Sequence, residues 1–355
     1  MISSTQDPIW LRETTAAVFE AAGVAPDDAR FVADSLVAAD EAGVPSHGVM
    51  LVPMYVDRLR RGSVAATDVT AVVADDGATA VLDAGHSLGQ LSARRAMDLA
   101  IEKAERFGIG VVTVRHAFHF GRASQYADRA AARGMIGIAA SNTRPMMPAP
   151  GGAEPVVGNN PFAVAVPGDD ERSFTLDMAL SEVALGKIRM AASSGSAIPE
   201  HWATDRDGNP TTDAHAAIDG MLLPAGGPKG FGLALVVEIL TGVLSGGAVS
   251  HEVRGLYADT AAPNDSAQFF LAIDVNRFLP AASFTDGLSR LVDPILAAGV
   301  HTDAPPRLPG HGARAAARRA NGAGVAVSAR VLDDLIATAT AVGATVPAPP
   351  SGGRA

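Results

Sequence analysis

The amino-acid sequence predicts an α/β fold with a partly mixed sheet. Apolar residues recur at helical spacing in some segments and as short strand-like runs in others. The two kinds of segment interleave along the chain, as they do where helices cover a sheet. With 48% apolar and 19% charged residues over 355 positions, there is material for a large buried core.

The chain opens helically. Asp7 can cap a helix whose first turn holds Pro8, and Gly23 ends it. A second helix starts at Pro26, carries Phe31, Val32, Leu36 and Val37 on one stripe, and stops at Gly43. After the turn Pro45-Ser46-His47-Gly48, residues Met50, Tyr55 and Leu59 mark a third helix running to Gly62. The period then changes, and 69–73 and 79–82 read as strands around the turn Asp75-Asp76-Gly77. Residues 91–107 and 124–133 read as helices, and 111–114, 136–140, 162–166 and 174–177 as strands. A strongly apolar helix over 231–244 reads as central to the fold, and 269–275 as a buried strand. Ser328 can cap a last helix carrying Val331, Leu332, Leu335 and Ile336. The Pro- and Gly-rich stretches 304–312 and 347–355 read as a connector and a loose tail, and no internal repeat is found.

Composition narrows the function. A net charge of −10 disfavours nucleic acid or an anionic membrane as the main partner, since both call for a basic face. The basic runs Arg58 to Arg61 and 314–319 read as solvated helix faces. Without cysteine there is no disulfide, thiolate nucleophile or thiolate metal site, which fits a reducing compartment. The first residues lack the basic and apolar segments of a signal peptide, and Glu238 with several glycines interrupts the most apolar window. A cytoplasmic location is expected.

No familiar nucleotide or hydrolase motif is present: neither G-x-G-x-x-G after a strand, nor a P-loop, H-E-x-x-H or G-x-S-x-G. What remains is a set of turns at element junctions. Ser46-His47-Gly48 lies between two helices, and His119-Phe120-Gly121-Arg122 between a strand end and a helix start. An imidazole at such a junction can act as acid or base near neutral pH, although one loop histidine can equally be structural. Gly158-Asn159-Asn160-Pro161 and Asp177-Met178-Ala179 could aim backbone N–H groups at a ligand, or simply turn the chain. Gly226 to Gly232, with Lys229, opens the apolar helix and suits an anion at a helix N-terminus; a flexible turn reads as well. No two ligands share metal-type spacing on one element, so no metal is expected.

In order, the segments 46–62, 119–127, 141–152, 158–167, 176–188, 207–213, 226–247, 269–274 and 308–310 resemble one family over about nine-tenths of the chain. It is the malate/L-lactate dehydrogenase type, which also includes sulfolactate, ureidoglycolate and hydroxycarboxylate dehydrogenases and a cyclic imino acid reductase. The resemblance implies a large mixed-sheet, non-Rossmann NAD(P)-binding core and a helical part formed by both chain ends. Its expected divisions are 1–68, 69–300 and 301–355. It also implies a homodimer or dimer of dimers acting on a small-molecule substrate with NAD(H), or alternatively NADP(H).

The resemblance assigns acid–base work to His47 and His119. It gives substrate contacts to Ser46, Leu51, Tyr55 and Arg122. Cofactor contacts fall to Gly121, Arg122, Thr143, Asp177, Met178, Ala179, Lys229, Gly230, Gly310 and His311. Two departures stand out. Leu51 replaces an arginine that clamps a substrate carboxylate in many members, and His311 replaces the acid of the usual P-G-E loop. The first, with Arg122, leans toward the hydroxycarboxylate branch and a substrate bulkier or more apolar than malate. Reduction of a cyclic imine and a non-catalytic, ligand-binding relative are the competing readings.

Overall fold

The computed structural model describes residues 3–299 and 305–348. The expected division at 300/301, residue 304 of the connector and 349–355 of the tail lie outside the described residues. The order begins β1 (Ser3–Gln6), α1 (Pro8–Ala21), α2 (Pro26–Glu41), α3 (Val52–Arg61), β2 (Ala71–Asp76) and β3 (Thr79–Asp83). It continues α4 (Gly89–Phe107), β4 (Ile109–Ala117), α5 (Ser124–Ala131), β5 (Met135–Ser141), β6 (Met147–Pro148), β7 (Pro155–Val157), β8 (Phe162–Val166) and β9 (Phe174–Met178). Then come α6 (Leu185–Ser194), α7 (Ala214–Asp219), α8 (Pro228–Glu238), β10 (Ser266–Asp274), α9 (Ala281–Leu296), α10 (His311–Ala323), β11 (Val325–Ser328) and α11 (Ala329–Val342).

Seven strands form the central sheet in the order β2-β3-β4-β10-β5-β8-β9. Only β3 and β4 are parallel neighbours, joined by the α4 crossover; every other adjacent pair is antiparallel. Helices α4 and α5 cover one face, and they approach closely because the strands offer glycines beneath them. A Cβ at Gly110 would stand 1.9 Å from the Ala100 carbonyl oxygen, and one at Gly137 2.4 Å from that of Ala127. Ala96, Met97 and Ala100 meet Val112, Val114 and Phe270 there, so small residues fill this layer with few aromatics. The other face, with Phe269 and Ala140, packs against α8 through Ala234 and Val237.

The two chain ends build the second layer together. β1 pairs antiparallel with β11, from Ser3↔Ser328 to Gln6↔Val325. Helices α1, α2 and α3 pack on α10 and α11 around Leu11, Phe19, Leu36, Tyr55 and Leu335. Asp7 caps α1 through the N–H groups of Ile9 and Trp10, as its position in the sequence suggests. Ser328 likewise caps α11.

Several expectations need correction. The first strand is 71–76 rather than 69–73, wholly exposed and broken by a register shift between Val72 and Ala74. The 231–244 helix is α8 followed by a π turn (Ile239–Val243), and it is not enclosed. Leu233 is 55% and Ile239 54% exposed, because the run is apolar all round and only one side meets the sheet. Arg58 is not solvated but fully buried. In the later basic run, α10 forms and Arg318 and Arg319 face solvent, while Arg314 turns inward. The pairs β1–β11 and β6–β7 and helices α6, α7, α9 and α10 were not anticipated as elements.

Candidate active site

A cleft of about 840 Å³ opens between the helical layer and the ends of β4, β5 and β9, within the size range of small-molecule sites. Its walls gather segments distant in sequence: the Ser46-His47 turn, His119 to Ser124, Ser141 to Arg144, Asp177 to Ala179, Arg254 to Tyr257, and the start of α10.

Both histidines line it and meet there, with stacked rings whose centroids lie 5.5 Å apart. His119 is pinned between two buried anchors: Phe118 sits in the helical core and Phe120 under the sheet. Gly121 (φ 80°) then turns the chain into α5. Behind His119 runs a hydrogen-bonded chain. Gln90 Nε2 donates to the Tyr55 hydroxyl (3.0 Å), which lies 2.6 Å from His119 Nδ1 and 3.3 Å from the His119 carbonyl oxygen. Burial pushes the Tyr55 hydroxyl further above its ordinary value, so it keeps its proton. Donation to the nearer acceptor, Nδ1, leaves the imidazole proton on Nε2. Burial, then the neighbouring His47, brings His119 down to about 3, so this ring is neutral.

His47 stands on a single-turn 3-10 helix (Pro45–His47), with the Ser46 hydroxyl 2.9 Å from its Nδ1. Beneath the turn, Asp40 accepts the Val49 N–H (2.8 Å). A side chain at Gly48 would overlap that carboxyl, since an added Cβ falls 2.1 Å from its oxygen. Burial lowers His47 below its ordinary value; Asp177 opposes this by favouring the cation, and Arg122 adds to it.

Of the residues singled out from sequence, Ser46, His47, His119, Gly121, Arg122, Thr143, Asp177, Met178, Ala179 and Gly310 line this one cleft. Asp177 accepts the Ser124 N–H at the head of α5 (3.0 Å), and Thr143 is held by Asn159 and Asn160. Tyr55 lies behind the wall, acting through His119. Leu51 is 3% exposed and packed in the helical core, away from the cleft. Lys229 and Gly230 stand outside it as well: Lys229 faces solvent, and the turn before α8 already holds a carboxylate, Glu182, on the Gly226 N–H (3.1 Å). His311 also falls outside the lining; its Nε2 lies 2.9 Å from the Glu171 carbonyl oxygen.

Sequence reasoning missed Gln90, Asp40, Arg144, Arg189, Arg254, Arg314 and Asp128. Apart from Arg144, within the 141–152 segment, none sits in a segment singled out for the site from the sequence, and each reaches the site through the tertiary fold. Five arginines (Arg122, Arg144, Arg189, Arg254 and Arg314) line the cleft with three acidic residues (Glu41, Asp128 and Asp177), in a chain of net charge −10. A positive cleft fits an anionic dinucleotide. Gly310, Gly312 and Ala313 at the N-terminus of α10 add backbone suited to phosphate. Among the described residues, no group of three or more His, Asp or Glu could hold a metal ion, and no helix is long and apolar enough to cross a membrane.

Comparison with known proteins adds independent findings. The family model described as malate/L-lactate dehydrogenase matches residues 8–336. The L-sulfolactate dehydrogenase of Methanocaldococcus jannaschii is 41% identical over 276 residues, 77% of this chain and 78% of the relative. The ureidoglycolate dehydrogenase (NAD+) of Escherichia coli K12 is 36% identical over 269 residues, 76% of each. The (2R)-3-sulfolactate dehydrogenase (NADP+) of Chromohalobacter salexigens is 35% identical over 334 residues, 93% of this chain and 98% of the relative. Among solved structures, the M. jannaschii sulfolactate dehydrogenase superposes with a TM-score of 0.91 at 34% identity, covering 97% of this chain and 98% of that one. A Δ1-piperideine-2-carboxylate reductase from Pseudomonas syringae gives 0.85 at 27% identity, covering 94% and 99%.

Proposed function

The chain belongs to the malate/L-lactate dehydrogenase family and is an NAD(P)-dependent oxidoreductase of hydroxy acids; from that premise we propose that it interconverts a small 2-hydroxy acid and its 2-oxo acid using both cleft histidines. The observation that carries the reading is the stacked His47–His119 pair with its Gln90–Tyr55 support, on the wall of a positively charged cleft.

A bound nicotinamide would accept or supply the hydride. Asp177, Met178, Ala179, Thr143 and Gly121 would border its ring, and Arg314 with the α10 N-terminus would meet its phosphates. Neutral His119 presents Nε2–H to the reacting oxygen and polarises it. His47 carries the proton: neutral, it takes one from the substrate hydroxyl in oxidation, and as the imidazolium it returns one in reduction. The nearby Asp177 suits His47 to that role by favouring its charged form. Arg122, electrostatically coupled to His47, would hold the substrate carboxylate. NAD(H) is the proposed cofactor and NADP(H) the alternative, as both occur among the relatives' names.

The likeness to a piperideine carboxylate reductase supports a second reading, delivery of hydride to a cyclic C=N bond. We also place the enzyme in the cytoplasm as a homodimer. The bare apolar surface over α8 and the π turn after it (Leu233, Ile239), and over α9 and the turn before it (Leu291, Phe278), supports self-association.

The deciding experiment assays 2-oxo acids and cyclic imines with NADH and with NADPH, using wild-type protein and His47→Ala. Turnover of a 2-oxo acid, with kcat reduced about 10²-fold or more in the variant and cofactor affinity kept, is the expected outcome. Saturable cofactor binding without turnover of any acid would overturn it, and turnover of imines alone would select the second reading.

A further inference from the structure

One buried carboxyl takes no part in the chemistry described above. Glu238, at the end of α8, is 6% exposed, on a helix whose outer side is bare apolar surface. Glutamate is rarely enclosed to this degree unless its oxygens are bonded. Here both are. Oε1 accepts from Asn142 Nδ2 (3.2 Å) and the Ser250 N–H (2.8 Å), and Oε2 from Asn160 Nδ2 (2.8 Å). The two asparagine amides must therefore turn their nitrogens toward Glu238. Their other N–H groups go to the carbonyl oxygens of Ala248 (2.9 Å) and Ala234 (3.0 Å). Their oxygens then point the opposite way: Asn142 Oδ1 accepts the Ala267 N–H (2.7 Å), and Asn160 Oδ1 the Thr143 N–H (2.9 Å). The network ends at two residues that line the cleft, Thr143 and Asn159, where the Thr143 hydroxyl donates to Asn159 Oδ1 (3.0 Å). The loops interlock closely. A Cβ at Gly158 would stand 2.3 Å from Thr143 Oγ1 and 2.4 Å from Asn160 Oδ1. Asn160 holds a φ of 26° there, a backbone state that its bonds to Glu238, Ala234 and Thr143 maintain.

We propose that Glu238 is the positioning residue for the nicotinamide end of the cleft: through Asn160 and Asn142 it fixes Thr143 and Asn159, which meet the carboxamide of the ring. The inference rests on the reading of Thr143 as a border of the nicotinamide and deepens it. A carboxamide offers one acceptor and one donor group, which a hydroxyl and a side-chain amide of set orientation can match; a phosphate calls for charge instead. With its Oδ1 engaged by Thr143, Asn159 has Nδ2 to donate. The two histidines and the Gln90–Tyr55 chain behind them share no hydrogen bond with this network, so it bears on cofactor binding rather than on proton transfer. A role for Glu238 in holding the fold alone is the rival explanation.

The test uses full-length protein and the variants Glu238→Gln, Asn159→Ala and Thr143→Val. Kd is measured for whichever of NADH and NADPH binds more tightly, and for its nicotinamide-free fragment, ADP-ribose or 2′-phospho-ADP-ribose. Melting temperature is followed alongside, with kcat at saturating cofactor for a 2-oxo acid that the wild type reduces. Glu238→Gln keeps the size of the side chain but sets an NH2 group against N–H donors. It should raise Kd for the whole cofactor roughly fivefold to a hundredfold, the loss expected when buried groups go unpaired. Asn159→Ala and Thr143→Val should raise it roughly threefold to tenfold. In all three, Kd for the fragment and kcat should stay within about twofold. Asn159→Ala touches only the cleft wall, so its result decides the case if Glu238→Gln fails to fold. Equal losses for cofactor and fragment would overturn the proposal, as would a lower melting temperature of Glu238→Gln with both Kd values unchanged. Asn159→Ala raising only KM for the acid would give that wall to the substrate and overturn it as well. The expected split without turnover of any acid would leave the proposal standing and sink the proposed reaction; turnover without the split would do the reverse.

Discussion

Asp40 shows how a residue outside every motif shapes the site. Its carboxyl lies under the His47 turn, accepts the Val49 N–H, and is pushed by burial from 3.8 up to about 7. A folded-state value raised above the unfolded one means that the fold favours the protonated form. That contribution is fully present below about pH 4 and is lost as pH rises through 7. Asp40→Asn cannot ionise and keeps an acceptor for Val49. The variant should therefore match wild type near pH 4 and be more stable at pH 8, by about 1–3 kcal/mol after allowing for solvent at a partly buried group. Thermal melts across pH 4–8 check this; parallel curves for the two proteins would sink it. The sequence exposed His47 and His119 because each sits in a short Gly-bearing turn. It hid Asp40 and Gln90, whose partners lie 9 and 35 residues away, and Arg144, which reaches the site only through the cleft.

Helix α3 is the element on which the site depends most. Through Tyr55 it orients His119, and through Arg58 it fastens the strap 254–264 that carries Arg254, Gly255, Leu256 and Tyr257 to the cleft. Arg58 donates to the carbonyl oxygens of Gly255, Leu256 and Ala262 at 2.8–3.2 Å, while Asp57 accepts from Thr260 and Ser63 donates to the Thr260 carbonyl. Removing the guanidinium orphans several carbonyls at once, each worth about 1–3 kcal/mol when left buried and unpaired. Arg58→Met should thus lower the melting temperature by several degrees and raise substrate KM, with Arg58→Lys intermediate. An unchanged melt and unchanged KM would count against the strap. The clue to Arg58 was in the helical period, which sets it beside Met54 and Tyr55 on the buried face, while Arg60 and Arg61 point outward. Glu238 offered a similar clue: as the one charge in the apolar window 231–244, it accepts from Asn142, Asn160 and the Ser250 N–H and so braces two cleft loops. Charge counted by composition gave neither residue; position on the helix would have.

At the scale of the molecule, alternation of periods foretold the mixed sheet, and the capping residues foretold the first and last helices. The apolar helix at 231–244 was misjudged because apolar residues on all sides do not distinguish a chain's own core from a surface that a second copy covers. If that surface joins two copies, Ile239→Asp should halve the mass seen by light scattering, since a buried unpaired carboxylate opposes association. Wild-type protein already monomeric at micromolar concentration would exclude the interface. The antiparallel ribbon of β1 and β11 has a different kind of consequence. Its two strands are made some three hundred residues apart, so the first three helices leave the ribosome well before the segments that complete their core exist. The nascent chain must hold Leu11, Phe19 and Leu36 without their final cover, a non-local closure of the kind that slows folding and invites capture by chaperones. The same closure brings the α10 wall against the His47 turn. Catalytic competence therefore arrives only once synthesis has passed β11, and an unfinished chain cannot act on its substrate.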